Sequence, residues 1–229
     1  MKTIIIGDVH GCSAALDALL KRVEPGAEDT LVMLGDLFDR GPDSFMVYET
    51  VQKLAKDKGD KFILLRGNHE DYLLQKKLSM MQRFVWERVG RGATVKSFAA
   101  HGGKMEDAVP WLTENCKLFW RGEGIQCVHA GLLIDPPEMN DTYTLIHDHD
   151  IAMRNVYFGP LTVVGHIALE HPMWFAGDGK TVVKLPYNEW MALPDHGVIC
   201  IDTGCGKGGC LTAMTVEDGK YILEGVAVA

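Results

Sequence analysis

Five times along the chain a short apolar run stops abruptly at a polar, metal-type residue, usually beside glycine. Ile4-Ile5-Ile6 runs into Gly7-Asp8-Val9-His10-Gly11, and Leu31-Val32-Met33-Leu34 into Gly35-Asp36-Leu37-Phe38-Asp39-Arg40-Gly41. Phe62-Ile63-Leu64-Leu65 leads through Arg66 to Gly67-Asn68-His69-Glu70. Ile125-Gln126-Cys127-Val128 ends in His129-Ala130-Gly131, and Leu161-Thr162-Val163-Val164 in Gly165-His166. Runs this short and this rich in aliphatic residues read as buried strands. Strands sharing a sheet, or a pair of sheets, deliver their C-terminal residues to one rim, where open α/β sheets bind ligands. The pattern is that of a scaffold for one polynuclear metal site.

The segments between the runs favour an α/β fold. Ser13 to Val23 carries Leu16, Leu19, Leu20 and Val23 at helical spacing and stops at Pro25-Gly26. Pro42-Asp43-Ser44 is a helix start, followed by Val47, Val51 and Leu54 and a stop at Gly59. The first 70 residues thus read strand–helix–strand–helix–strand, as in βαβ units with right-handed crossovers. From 71 to about 124 no strand-end motif occurs, which predicts a helical insert with one helix over Asp71–Arg88, a break at Gly90-Arg91-Gly92 and a shorter helix near Val109–Asn115. His101-Gly102-Gly103 follows no apolar run and reads as a turn. Strands are expected at 125–128, 161–164, 181–185, 197–201, 211–216 and 220–227, the last two as a hairpin. A length of 229 residues suits one compact domain over 1–229.

The formal net charge of −8 argues against nucleic-acid backbone as the main partner. No apolar stretch approaches the roughly 20 residues of a membrane span. A strand begins at the third residue, so no signal peptide and a cytoplasmic location are the expectations. None of the six cysteines forms a Cys-x-x-Cys pair, and reduced, mostly buried thiols are expected.

Asp8 and His10 stand two apart at a strand end, where extended backbone sends both side chains to one side. Asp36, from the end of the next run, has two oxygens and a charge with which to bridge two cations. Asn68 offers a neutral oxygen, and His129 and His166 offer imidazoles. Mixed nitrogen and oxygen ligation suits Mn, Fe, Zn, Co or Ni better than Ca. Two such ions can activate a water and clamp a phosphoryl oxygen.

The order of these motifs resembles that of the PPP phosphatases, calcineurin-like metallophosphoesterases that include the serine/threonine phosphatases, small bacterial relatives and symmetrical diadenosine-tetraphosphate hydrolases. The spacings of 28 residues from Asp8 to Asp36 and 32 from Asp36 to Asn68, followed by two histidine motifs, make the likeness specific, and it spans residues 3 to about 215. Ile201-Asp202-Thr203-Gly204 is similar to a late strand-loop of the bacterial members. The resemblance implies a four-layer fold, a central β-sandwich of mixed sheets flanked by helices. It implies a first metal on Asp8, His10 and Asp36, and a second on Asp36, Asn68, His129 and His166, with manganese the expected metal. His69 would be the general acid, positioned by Asp39, and Arg40 would hold phosphate oxygens while metal-bound hydroxide attacks directly.

Many relatives carry a second phosphate-binding arginine in a Leu-Leu-Trp-x-Arg-like segment. Here the match is Leu145-Ile146-His147-Asp148-His149, which leaves His147, His149 or the nearby Arg154 to serve. Trp86, Gly90, Gly92, Thr94 and Ser97 are a remnant of another family segment, and Trp86 itself reads as apolar packing. Glu70 reads as a loop support rather than a ligand. The leading functional expectation is hydrolysis of phosphoserine or phosphothreonine in proteins, or of small phosphorylated substrates. The alternatives are hydrolysis of dinucleoside polyphosphates and a catalytically silent phospho-binding module.

Overall fold

A computed structural model of the chain describes residues 1–149, 154–157 and 159–228. The apolar runs do form strands: β1 (Thr3–Ile6), β2 (Thr30–Met33) and β3 (Phe62–Leu65), with α1 (Ser13–Val23) and α2 (Ser44–Lys58) between them. These three pair in parallel, and β3 continues in parallel to β4 (Cys116–Lys117). On the other side β1 pairs antiparallel with β12 (Cys210–Glu217), which forms the expected hairpin with β13 (Lys220–Ala227). The short β10 (Met191–Ala192) completes this seven-stranded sheet.

The second sheet has six strands in the order β5-β6-β7-β11-β8-β9. These are β5 (Phe119–Gly122), β6 (Ile125–Val128), β7 (Thr162–Val164), β8 (Met173–Phe175), β9 (Val182–Lys184) and β11 (Val198–Cys200). β6, β7 and β11 are mutually parallel, so His129 and His166 leave neighbouring strands at the same end.

The period-2 alternation of strands decides which sheet face meets what. Ile5, Val32, Ile63 and Leu65 point inward and meet Cys127, Val163 and Ile199 of the second sheet. Ile4, Ile6, Leu31, Met33 and Leu64 point outward under α1 and α2, against Leu16, Leu19, Val47 and Val51. On the far side, Val128, Val164, Val198 and Cys200 pack on Leu145 and Ile146 of α7 (Thr142–His147). Two mixed sheets are thus stacked face to face, with helices covering the outer faces.

The region from 71 to 124 differs from the sequence reading. The single helix expected over Asp71–Arg88 is two, α3 (Asn68–Leu74) and α4 (Met80–Arg88). Ser79 restarts the helix with a capping box: its hydroxyl accepts from the Gln82 N–H at 3.2 Å, and the Gln82 side chain accepts from the Ser79 N–H at 2.9 Å. Gly90 breaks α4 with φ +115°, but a further helix follows, α5 (Arg91–Ala100), before α6 (Val109–Asn115). The segment also contains β4 and all of β5, so it is not wholly helical. His101 ends α5 and stacks on Phe45 at 4.3 Å, a structural contact. All six cysteines are free thiols.

Candidate metal centre

The parallel ends of β1, β2 and β3 meet those of β6 and β7 across the sandwich. Asp8, His10, Asp36, His69 and His129 are each at most 1% exposed, and Asn68 is buried beside them. Two clusters, each within 4.8 Å among their ligand atoms, share Asp36: His10 with Asp36 and His69, and Asp36 with His129 and His166. Two of the motif glycines are required by this crowding. A Cβ on Gly67 would overlap Asp36 Oδ1, and one on Gly165 would overlap Asp8 Oδ1.

Backbone conformation singles out the same place. Among the described residues nine non-glycine residues have positive φ, and five of them are His10, Asp36, Asp39, Arg40 and His166. Left-handed backbone is unfavourable for residues with a Cβ and persists where surrounding structure enforces it, commonly at functional sites. One enforcer is Glu70, whose carboxylate accepts the N–H groups of Asp36, Leu37 and Gly67 at 2.7, 2.8 and 3.0 Å. It supports the loop and does not enter either metal cluster.

The buried polar atoms converge as acceptors awaiting cations. His10 Nδ1 and His129 Nδ1 each lie 2.8 Å from a backbone carbonyl, those of Phe38 and Leu34. A carbonyl only accepts, so Nδ1 carries the proton and Nε2 turns a lone pair into the site. His129 Nε2 then stands 3.2 Å from Asn68 Oδ1 and 3.5 Å from Asp36 Oδ1, both acceptors. His166 Nδ1 also points at Asn68 Oδ1, at 2.9 Å. Four buried side-chain polar atoms lack a hydrogen-bond partner among the described residues, and three are here: Asp8 Oδ1, His166 Nε2 and Asp202 Oδ2. Acceptor pairs without a donor, in a buried setting, are stabilised by a positive ion between them. The donor set therefore fits two metal ions sharing Asp36, and its nitrogen–oxygen mixture suits first-row transition metals.

The charges respond accordingly. Burial opposes ionisation of Asp36, but the fields of His129, His69 and His10 prevail and hold it well below the usual carboxylate range. Burial, with Asp202 and Asp36 nearby, pushes Asp8 well up. Burial and neighbouring His69 lower His10, and burial with His129 brings His166 down to about 2. Neutral imidazoles are the form that binds metal.

Beside the first cluster, His69 Nδ1–H donates to Asp39 Oδ2 at 2.6 Å. Burial alone would lower this imidazole, but Asp36 and the Asp39 hydrogen bond outweigh it and lift it above the ordinary histidine value. Asp39 is pinned in turn. Trp86 Nε1–H donates to Oδ2 at 2.7 Å and the Thr94 hydroxyl to Oδ1 at 2.5 Å. Trp86 is therefore more than the apolar packing expected from sequence: its indole N–H supports the carboxylate that orients His69. Arg40 donates to His10 Nε2 at 2.7 Å, with His69 Nε2 at 3.4 Å, so its guanidinium lies over the first cluster.

The remaining sequence candidates separate. His149 lies against His166, ring centroids 4.3 Å apart, at the edge of the second cluster. Arg154 is exposed. His147 turns away to Asp71 Oδ2 at 3.4 Å, and Asp71 is paired with Arg66. Asp202, 1% exposed, belongs with the site and was given no role from sequence. The signal was present, since Val198-Ile199-Cys200-Ile201 is a sixth apolar run ending in a carboxylate.

A fold of two stacked mixed sheets, with His/Asp clusters where their parallel strands end, defines a metallophosphoesterase. Residues 1–201 match the calcineurin-like phosphoesterase family, and the chain belongs to it. Among curated proteins it is 50% identical to a symmetrical bis(5'-nucleosyl)-tetraphosphatase of Escherichia coli O1:K1 / APEC, over 98% of this chain and 94% of that protein. A protein of the same description from Enterobacter sp. (strain 638) is 28% identical at the same coverage. Among solved structures, a metallophosphoesterase from Sphaerobacter thermophilus superposes with a TM-score of 0.69 at 18% identity, covering all of this chain and 90% of that one. A putative diadenosine tetraphosphatase superposes at 0.64 with 22% identity, covering 100% and 94%. Among the described residues no helix is long and apolar enough to cross a membrane.

Proposed function

We propose that this metallophosphoesterase hydrolyses dinucleoside tetraphosphates symmetrically, releasing two nucleoside diphosphates. The observation that carries the reading is full-length identity of 50% to a protein described as a symmetrical tetraphosphatase. It reverses the order expected from sequence, in which protein phosphoserine and phosphothreonine came first. The solved protein phosphatases that superpose on this chain do so at 14–17% identity, a likeness of fold alone.

In this reading Asp8, His10 and Asp36 would hold one metal ion, and Asp36, Asn68, His129 and His166 the other. The ions, when bound, supply an activated water and neutralise charge on the phosphoryl group under attack. The chain's residues do the rest. Arg40, already lying over the first cluster, holds phosphate oxygens with its planar fork of donors. His69, oriented by Asp39 and raised in basicity, presents Nε2–H to the leaving oxygen. A nucleoside diphosphate leaves as a stabilised anion, so this proton matters less here than for an alkyl monoester. His149 or Arg154 supplies a second phosphate contact.

The test is a substrate panel on the manganese-loaded enzyme: diadenosine tetraphosphate, an aryl phosphate and phosphoserine peptides under one set of conditions. The expected result is a kcat/KM for the tetraphosphate at least about a hundredfold above the peptides, equivalent to about 2.7 kcal/mol of transition-state discrimination, with ADP as the sole nucleotide product. A peptide preference, or AMP plus ATP as products, overturns the reading.

A further inference from the structure

A dinucleoside polyphosphate brings bases as well as phosphates, and the metal centre by itself offers nothing for a base to lie on. An aromatic path leads from it to the surface. The His69 ring meets Tyr72 edge-on at 6.2 Å, Tyr72 meets His147 at 6.0 Å, and His147 stacks on Tyr143 at 5.0 Å with an interplanar angle of 20°. Tyr143 is 70% exposed. One face of its ring lies on His147.

This path borders a cleft of about 490 Å³ lined by Asp71, Tyr72, Gln75, Gln82, Tyr143 and His147, among others. The size lies within the usual range for small-molecule sites. Its polar members are held in place by one another. Asp71 Oδ2 accepts from Gln75 Nε2 at 2.6 Å and faces His147 Nε2 at 3.4 Å, while Gln82 Nε2 donates to Gln75 Oε1 at 3.2 Å. Each amide nitrogen carries a second N–H, suited to the ring nitrogens and carbonyls at a base edge. A pair of near-parallel rings, the outer one exposed and the inner one partly buried, beside two side-chain amides has the chemistry of a nucleobase seat, since bases stack on aromatic faces and are read along their edges.

We infer that the cleft between α3 and α7 is the seat of one purine base, with Tyr143, backed by His147, as its stacking platform. The inference rests on the tetraphosphatase reading and deepens it. The cleft shares the Tyr72 wall with His69, so a nucleoside diphosphate arm starting at the metal centre has its base directed along the ring path. Tyr143 is here a specificity residue, remote from the reacting atoms.

The test is calorimetric titration of the manganese-loaded enzyme with ADP and, separately, with pyrophosphate, which shares the phosphates and lacks the base. Wild type should bind ADP at least about tenfold more tightly than pyrophosphate, a modest share of what base stacking supplies. Tyr143→Ala should remove that margin through ADP alone, and Tyr143→Trp should keep it. Because the side chain is mostly exposed, both variants are expected to fold, which circular dichroism checks. Equal weakening of both ligands, or unchanged ADP affinity in Tyr143→Ala, overturns the inference. The two readings fail separately. An enzyme that leaves diadenosine tetraphosphate intact, yet binds ADP through Tyr143, sinks the proposed substrate and keeps the base seat. One that cleaves the tetraphosphate with KM unchanged by Tyr143→Ala does the reverse.

Discussion

Glu70 fastens two of the motif loops together, and its removal tests how much of the site depends on that fastening. Its fully buried carboxylate accepts three backbone N–H groups, from Asp36, Leu37 and Gly67. Glu70→Ala leaves these donors buried and unmet at roughly 1–3 kcal/mol each, partly relieved where water enters the space. A loss of about 3–5 kcal/mol is expected, large against the total stability of a domain. The pH dependence gives a second handle. Burial, then the charge of Asp36, lifts Glu70 from 4.5 to about 7, against the pull of its backbone donors. With the folded value above the unfolded one, the stability this group contributes is complete below about pH 4.5 and lost as pH rises through about 7. In metal-free protein the stability gap between wild type and Glu70→Ala should therefore shrink from pH 5 to pH 8, by on the order of 3 kcal/mol. Manganese beside Asp36 favours the ionised carboxylate and should flatten that trend. Urea denaturation of chelator-treated and manganese-loaded protein at both pH values measures all of this. A gap below about 1 kcal/mol at pH 5, or one that widens with pH in the metal-free protein, refutes the reasoning.

Three further outcomes are expected. His69→Asn should lower kcat by roughly 10²–10⁴-fold on alkyl phosphomonoesters, and far less on diadenosine tetraphosphate; equal losses would assign His69 to positioning. Trp86→Phe removes the indole N–H from Asp39 and should lower kcat on alkyl monoesters about tenfold, at little change in KM, in steady-state assays. His149→Ala should raise KM for phosphate-bearing substrates several-fold more than Arg154→Ala, because His149 lies against His166; the reverse ranking would give the second phosphate contact to Arg154.

The parts of the molecule that were legible in sequence share a physical cause. β1, β2, β3, β6 and β7 are buried on both faces, so each reads as a mostly apolar run, interrupted only by buried Gln126 in β6 and Thr162 in β7 and by Thr3 and Thr30 at strand starts, and each ends where the chain must turn toward the site. The helical region was harder because its boundaries are set by single contacts. Ser79 and Gln82 start α4 through a local capping box, while Gln75, an ordinary helix former, ends α3 in extended backbone with ψ 126°. α5 follows a glycine break that gave no sign of a second start. Asp202 stands in a segment the resemblance picks out, but no histidine beside it signals a ligand role, although the run before it is like the others. Trp86 was misjudged because apolar spacing says where a ring is buried and nothing about the partner of its N–H.

The left-handed backbone at His10, Asp36, Asp39, Arg40 and His166 bears on how such a protein changes under selection. Glycine adopts that conformation freely, so replacing any of these residues by glycine relieves about 1 kcal/mol or more of backbone strain. At Asp8, which burial and the charges of Asp202 and Asp36 oppose, removing the carboxylate also relaxes repulsion in the metal-free chain. Heat resistance and chemistry thus pull on the same few positions in opposite directions. A variant library sorted only for survival at high temperature, with chelator present, should become enriched in glycine where no buried donor depends on the side chain, as at Arg40 and His166, but not at Asp39, which accepts from Trp86 and Thr94. The map of that enrichment would outline the catalytic rim without a single turnover having been measured.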